Sequence, residues 1–284
     1  MLGYLSQHEW SCTEAGKSSP LAYRCSGLIT HRSSVLYCQP YDLQYTTYKI
    51  YPTNLMRGFT LIELLVVIST IAILLSILMP ILGKARSIAY RIRCSSNLRQ
   101  VNLAFDLYVN DYDNTYPCSQ DPVSIEPYYW LWMGRGWRSF VEPYLGGNVD
   151  ANNPSVLFCP SDRTAKEKWE STSYAYSMTF YHSPEQIDSM KDKSDTYSNP
   201  QSSIPQKSFN VAYLSEKVLV GEWLSNHLFI EKDGGWWCWE GARNYLFADG
   251  QVLFLEAKQI HPANDNWPDA HLTINGIKGR DISD

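Results

Sequence analysis

Residues 56–82 read MRGFTLIELLVVISTIAILLSILMPIL, and this stretch decides the fold. From Phe59 to Leu82 it carries one formal charge, Glu63, and otherwise only Thr60, Ser69, Thr70 and Ser76 as polar residues. As a helix those residues rise about 36 Å, enough to cross a hydrocarbon core of about 30 Å. Leu, Ile, Val and Ala fall on every side of it, so it has no polar face to turn toward water. A helix apolar all round is a membrane span or the centre of a large core. The rest of the chain is too polar to wrap such a core, so a membrane span is expected. A secretory signal peptide fits worse. The apolar run is too long, and Gly83-Lys84-Ala85-Arg86 is no small-residue cleavage site.

A carboxylate at the centre of a membrane helix costs at least about 2.5–3.5 kcal/mol. Glu63 instead falls in the first turns, close to an interface, with Arg57 and Gly58 just ahead of Phe59. Gly58-Phe59-Thr60-Leu61-Ile62-Glu63 resembles the type IV prepilin cleavage and methylation motif. The resemblance implies that a membrane-embedded prepilin peptidase cuts after Gly58 on the cytoplasmic face. The new N-terminal Phe59 is then N-methylated. Glu63 takes the fifth mature position, where the family keeps a Glu, and Pro80 takes the position where pilins often keep a helix-kinking proline.

Working outward, residues 1–55 show no sustained period of 2 or 3.6 and no targeting pattern. We read 1–58 as a leader or an over-called upstream extension, removed in either case. Beyond Pro80, Ile81, Ala85, Ile88 and Ile92 keep a helical stripe. A second stripe follows through Cys94, Leu98, Val101, Phe105, Tyr108 and Tyr112. The two are offset, so the buried face rotates near residue 93. Arg91, Arg99, Asn102 and Asp106 lie opposite the second stripe. One helix is expected from Phe59 to Asp111, with 59–82 in the membrane and 83–113 as its amphipathic continuation. Asn110-Asp111-Tyr112-Asp113-Asn114 ends it with turn-favouring residues. Lys84, Arg86, Arg91, Arg93 and Arg99 follow the span, and by the positive-inside rule alone would place this side in the cytoplasm. The prepilin resemblance requires the opposite orientation, and we side with it.

Residues 114–284 are expected to form a globular α+β head. Residues 115–170 hold six prolines and a cluster of aromatics, and read as packed, irregular loop. A strand is expected within Thr172–Tyr181, an exposed excursion over Ser183–Gln206, and a buried strand over Lys217–Trp223. The strongest local signal is Asn244–Leu255, two β-rich runs around Asp249-Gly250, a pair suited to the type I′ turn of a hairpin. Cys94 with Asn97-Leu98-Arg99-Gln100, Phe158-Cys159-Pro160-Ser161-Asp162 and the run to Gly250 are similar to a large pilin-like family. That family carries a C-terminal His-x9-Asp-Gly pattern. Asp249-Gly250 match it, but Trp239 stands where the His belongs. The head motifs of that family include Cys94 and Cys159, so the resemblance favours a disulfide between them, with Cys118 and Cys238 left over. Along an unbroken helix Cys94 lies too far from Cys118 to bond it.

The chain has 284 residues and a net charge of −5, which argues against a nucleic-acid partner. Seven cysteines divide as Cys12, Cys25 and Cys38 before the span and four after it. The six histidines (His8, His31, His182, His227, His261, His271) are scattered, with no HxxxH or HExxH, so no metal site is expected. Glu222, Glu240 and Asp249 could converge, but solvated carboxylates are commoner than a glycosidase pair. Pseudopilin heads often hold calcium, and the resemblance leaves its ligands open among Asp111, Asp113, Asp162 and Asp249. No catalytic group is assigned. The expected protein is a structural pilin-like subunit with no cofactor otherwise, single-pass in the cytoplasmic membrane, its head outside. Its partners are the prepilin peptidase, the bilayer and other pilin-like subunits, in a type II secretion pseudopilus or a type IV pilus-like filament. The alternative is a tethered binding protein that never assembles, holding a glycan through Trp130, Trp132, Trp137, Trp236 or Trp237.

Overall fold

The computed structural model describes residues 24–30, 33–39, 60–119, 130–133, 135–146, 155–162, 173–198 and 201–283. The chain divides into two compact units, Met1–Ala72 and Ile73–Asp284. The class is α+β, with one long apolar helix and a small four-stranded antiparallel sheet.

In the first unit β1 (Arg24–Thr30) and β2 (Ser33–Gln39) form an antiparallel pair, with Arg24 opposite Gln39 and Thr30 opposite Ser33. Residues 1–55 show no sustained period in the sequence, yet they hold this pair of strands. Neither run alternates cleanly, so period 2 did not reveal them, but Leu28, Ile29, Val35 and Tyr37 are strand-favouring types. Gly58 and Phe59, the expected cleavage site, lie outside the described residues. Helix α1 (Leu61–Asp111) starts immediately after Thr60. The Thr60 backbone N–H donates to Glu63 Oε2 at 2.8 Å, and the Glu63 N–H donates to Thr60 Oγ1 at 3.2 Å. That reciprocal pair is a capping box, which satisfies two otherwise unpaired donors at the helix start. Pro80 lies inside α1, and the helix continues through it. α1 is long and apolar enough to cross a membrane.

The second unit holds the rest of α1 and the head. Cys94, Asn97, Leu98, Val101, Ala104, Phe105 and Tyr108 are the buried residues of α1. Their spacing follows the second stripe read from the sequence. The first stripe is not buried: Ile81, Ile88 and Ile92 are exposed. Tyr112, the last member of the second stripe, is also exposed, though its ring stacks on Tyr108 at 4.2 Å. Asp113 and Asn114 take the left-handed conformation, at φ 50° and 59°, and the Asn114 N–H reaches the Val109 carbonyl at 2.8 Å. Asn and Asp tolerate that region, so the helix ends there.

The sheet is a meander in the order β3 (Tyr174–Tyr176), β4 (Val218–Glu222), β5 (Ala242–Phe247) and β6 (Val252–Glu256). β3, β4 and β5 are buried along their whole length, and β6 is the half-exposed edge. Gly221 belongs at its place in β4, because a Cβ there would stand 2.7 Å from Tyr245 Cδ1 and 3.0 Å from Trp236 Cζ2. The β5–β6 hairpin forms as expected, but its turn is not type I′. Only Gly250 has positive φ, at 87°. The Gly250 N–H donates to the Phe247 carbonyl and the Phe247 N–H to the Gln251 carbonyl, both at 2.9 Å. This is a three-residue loop closed by a left-handed glycine. Asp249 instead accepts from the Gln251 N–H at 2.9 Å, the local bond that turn aspartates favour.

Two loop expectations are corrected. Ser183–Gln206 is not simply an exposed excursion: it contains α3 (Pro184–Ser189), capped by Ser183 and Gln186, and buries Ile187, Met190 and Thr196. The segment before β3 contains α2 (Arg135–Val141), and Trp132, Trp137 and Val141 are core residues.

The centre of the head is an aromatic cage around His271. Trp236, Trp132 and Trp223 have ring centroids 4.6, 4.9 and 6.0 Å from it. The Met178 N–H donates to His271 Nδ1 at 3.3 Å, and Asp269 Oδ1 accepts from the His271 backbone N–H at 2.8 Å. Burial, together with the nearby Lys217 ammonium, pushes His271 down to about 3. Its folded value lies below the unfolded value of about 6.5, so it contributes stability above pH 6.5 that is lost as pH falls. Between pH 6.5 and 4.5 each pH unit should cost up to about 1.4 kcal/mol from this residue. Chemical denaturation across that window should give a shallower pH slope for His271→Asn than for the parent. Equal slopes would remove His271 from the account. His182, pushed by burial to about 4, adds to the same slope in both proteins.

Candidate metal centre

Among the described residues, one group of three or more His, Cys, Asp or Glu side chains gathers its ligand atoms together: Cys94, Cys159, Glu222 and His227. Their ligand atoms all lie within 4.8 Å of one another. Four separate segments deliver them. Cys94 is the first buried residue of the second stripe on α1. Asn97, one turn further along the same face, donates from Nδ2 to the Phe158 carbonyl at 3.3 Å. That bond ties the helix to the segment holding Cys159. The Asp162 N–H closes a tight turn onto the Cys159 carbonyl at 3.0 Å. Glu222 is the last residue of β4, and His227 sits in the loop that follows.

Arg243 braces that loop. Its Nε donates to the Trp223 carbonyl at 3.0 Å and its Nη2 to the Gly235 carbonyl at 2.8 Å, with an ion pair to Asp233 at 2.9 Å. Asp233 Oδ2 in turn accepts from the Ser225 N–H at 2.6 Å. Ser87 Oγ on α1 reaches the His227 carbonyl at 3.5 Å.

Within the cluster, His227 Nε2 lies 2.8 Å from Glu222 Oε1 and 3.6 Å from Cys159 Sγ. Glu222 Oε2 is occupied, accepting from the Asn244 backbone N–H at 2.8 Å and from Asn244 Nδ2 at 3.1 Å. The carboxylate is therefore held by one oxygen and presents the other. The side chains of His227 and Glu222 are 1% and 0% exposed, and both cysteines are fully buried. His227 Nδ1 is buried with no hydrogen-bond partner among the described residues. The Cys159 thiol, hydrogen-bonded to Cys94, holds the Cys94 thiol below the usual range, with His227 acting the same way against burial. Burial pushes Cys159 up. Burial alone would lower His227, but its hydrogen bonds to Cys94 and Glu222 and the Glu222 charge carry it to about 9.

The expected Cys94–Cys159 disulfide is not formed: these two, Cys118 and Cys238 are all free thiols. The two thiols nevertheless meet, and they meet beside an imidazole and a carboxylate. The expectation of no metal site rested on spacing along the chain. The four ligands come from residues 94, 159, 222 and 227, so no compact motif links them. Only the Glu222–His227 spacing, at the end of a strand, is a local signal.

The other candidates do not come together. Glu240 and Asp249 lie beyond opposite ends of β5, away from convergence with Glu222. Asp111 accepts from the Tyr144 hydroxyl at 2.9 Å, Asp113 pairs with Lys207 at 2.7 Å, Asp162 accepts from Ser173, and Asp249 closes its own turn. None of the four joins a ligand group. Of the five tryptophans considered for a glycan surface, Trp132, Trp137 and Trp236 are buried. Trp130 and Trp237 are half-buried, with their indole N–H groups bound to the Tyr197 carbonyl and to Asp269. No family model, no curated protein and no solved structure matches this chain.

Proposed function

We propose that this chain is a prepilin-like structural subunit, anchored by α1, cut after Gly58, N-methylated on Phe59, and assembled with copies of itself or other pilin-like subunits. The observation that carries the reading is Gly58-Phe59-Thr60-Leu61-Ile62-Glu63 at the head of a helix long enough to cross a membrane. Three features support it. The helix begins within this motif, at Leu61. Its outer half packs one face into an α+β head. Its opposite face keeps Ile81, Ile88, Ile92, Leu103 and Leu107 exposed, an apolar surface suited to neighbouring helices. On this reading the chain is not an enzyme, the head lies outside the cytoplasmic membrane, and the filament is a type II secretion pseudopilus or a type IV pilus-like one.

The test is the mature N-terminus. Mass spectrometry of the membrane-bound protein should find N-methylated Phe59. Glycine leaves the backbone free and the protease site uncrowded. Gly58→Val should therefore accumulate uncut precursor. A mature N-terminus elsewhere, or normal processing of the valine variant, overturns the reading.

A further inference from the structure

We propose that Cys94, Cys159, Glu222 and His227 bind one divalent cation of the zinc class in a closed, structural site. The inference is independent of the prepilin reading, because it concerns only how the head is held together.

The donor set selects the cation. Two thiolates and an imidazole are soft to borderline ligands, suited to zinc and poorly suited to calcium or magnesium, which take oxygen. The spacing agrees. On a tetrahedron with zinc–sulfur bonds of about 2.3 Å and zinc–nitrogen or –oxygen bonds of about 2.0–2.1 Å, ligand atoms stand about 3.3–3.8 Å apart. His227 Nε2 and Cys159 Sγ are 3.6 Å apart. His227 Nε2 and Glu222 Oε1 are 2.8 Å apart, so that pair opens by about half an ångström to admit the ion. The second oxygen of Glu222 is fixed by Asn244, which aims the first. Such outer hydrogen bonds orient metal ligands and set their basicity.

Four protein ligands fill the tetrahedron, and all four side chains are buried. No position is left open for water or substrate, which distinguishes a structural site from a catalytic one. Glu222 is paired with His227 in the empty site, and the cation would take over that balance when His227 ligates it as a neutral imidazole. The ion would join α1 to the Cys159 turn, to the end of β4 and to the loop after it. Asn97 and Ser87 already tie α1 to two of those segments through single hydrogen bonds, alongside the shared core.

The competing state is a Cys94–Cys159 disulfide, which would consume both sulfurs and leave Glu222 and His227 paired alone. The experiment uses the full chain in detergent, purified without chelator and analysed for metal and free thiols together. We expect one equivalent of zinc per chain, and Cys94, Cys118, Cys159 and Cys238 each mapped as a free thiol after denaturation. Exchange with Co²⁺ should give the visible bands of a tetrahedral ion and the near-ultraviolet charge-transfer band of cobalt–thiolate bonds. Cys159→Ser and His227→Gln should lose the stoichiometric metal, while Cys118→Ser keeps it. The parent spectrum decides the matter even where a ligand variant fails to fold. Reduced parent protein that takes up less than about a tenth of an equivalent of Zn²⁺ or Co²⁺ overturns the proposal. So does fresh protein carrying a Cys94–Cys159 disulfide and no metal.

Discussion

Replacing Asp281 by alanine is expected to destabilise the head by about 3–5 kcal/mol, the cost of stranding one member of a buried ion pair. Lys217 is fully buried, and its ammonium lies 3.1 Å from Asp281 Oδ2 and 2.6 Å from the Thr273 hydroxyl. Burial lowers the Lys217 pKa, and the Asp281 charge opposes that fall. Asp281 Oδ2 also accepts from the Val218 N–H at 2.7 Å, and its backbone N–H donates to the Glu216 carbonyl at 2.9 Å. The variant therefore loses a counter-charge and leaves a β4 donor unpaired. Against a total of about 5–15 kcal/mol for an ordinary domain, that loss is a large share. Thermal or urea unfolding of the detergent-solubilised chain measures it. Asp281→Asn separates the two losses, because it keeps an acceptor for Val218 and removes only the charge. Adding Lys217→Met to Asp281→Asn should recover at least half of the deficit, since no uncompensated charge remains. A cost below about 1 kcal/mol for Asp281→Ala, or a double variant no better than Asp281→Asn, would show that water reaches Lys217.

The second large effect concerns Glu63. On the proposed reading, cleavage creates an ammonium on Phe59, and the Glu63 carboxylate of one subunit pairs with that amine on its neighbour. Such a pair sets the axial register, because sliding by one turn would leave both charges unpaired in lipid. Desolvation offsets much of its Coulomb energy, so its contribution is to specificity. Glu63 also has a local task. Its Oε2 accepts from the Thr60 N–H at 2.8 Å and from the Thr60 hydroxyl at 2.9 Å. Losing that box leaves the Thr60 N–H without its partner and loosens the helix start. Glu63→Ala should still insert and be cut, since removing a charge eases insertion, and should fall to background in sheared filaments. Glu63→Gln decides between the two tasks, because glutamine keeps the capping box and discards the charge. It should fail as the alanine variant does. Filaments from Glu63→Gln at parent level would mean that assembly needs the cap alone, and filaments from Glu63→Ala would end the pairing mechanism.

Much of the architecture was legible because it rests on local pattern. The apolar run, the change of stripe near residue 93 and the turn residues after Asp111 placed α1 to within two residues of its observed bounds. The β-rich runs on either side of Asp249-Gly250 placed β5 and β6. The turn type was missed because Asp-Gly serves both a two-residue loop and the end of a longer one, and only Gly250 needs positive φ here. α3 was missed because its six residues are too few to show a period, although Ser183 and Gln186 spell its cap. The candidate site was half legible. Cys94 and Cys159 stood out as a pair, but Glu222 and His227 reach them only through the docking of β4 against α1. No spacing along the chain encodes that docking.

The meander has a consequence for the order of events in folding. Its β5–β6 hairpin closes across a three-residue loop, a contact available early. The buried face of α1 is emitted long before the strands that cover it, and Asp281 locks β4 from nearly the last residues of the sequence. Contacts of such long separation must meet the loop-closure entropy before they return any stability. The head should therefore fold late and as one event, after its whole length has been delivered, with Leu98, Val101 and Phe105 waiting uncovered until then.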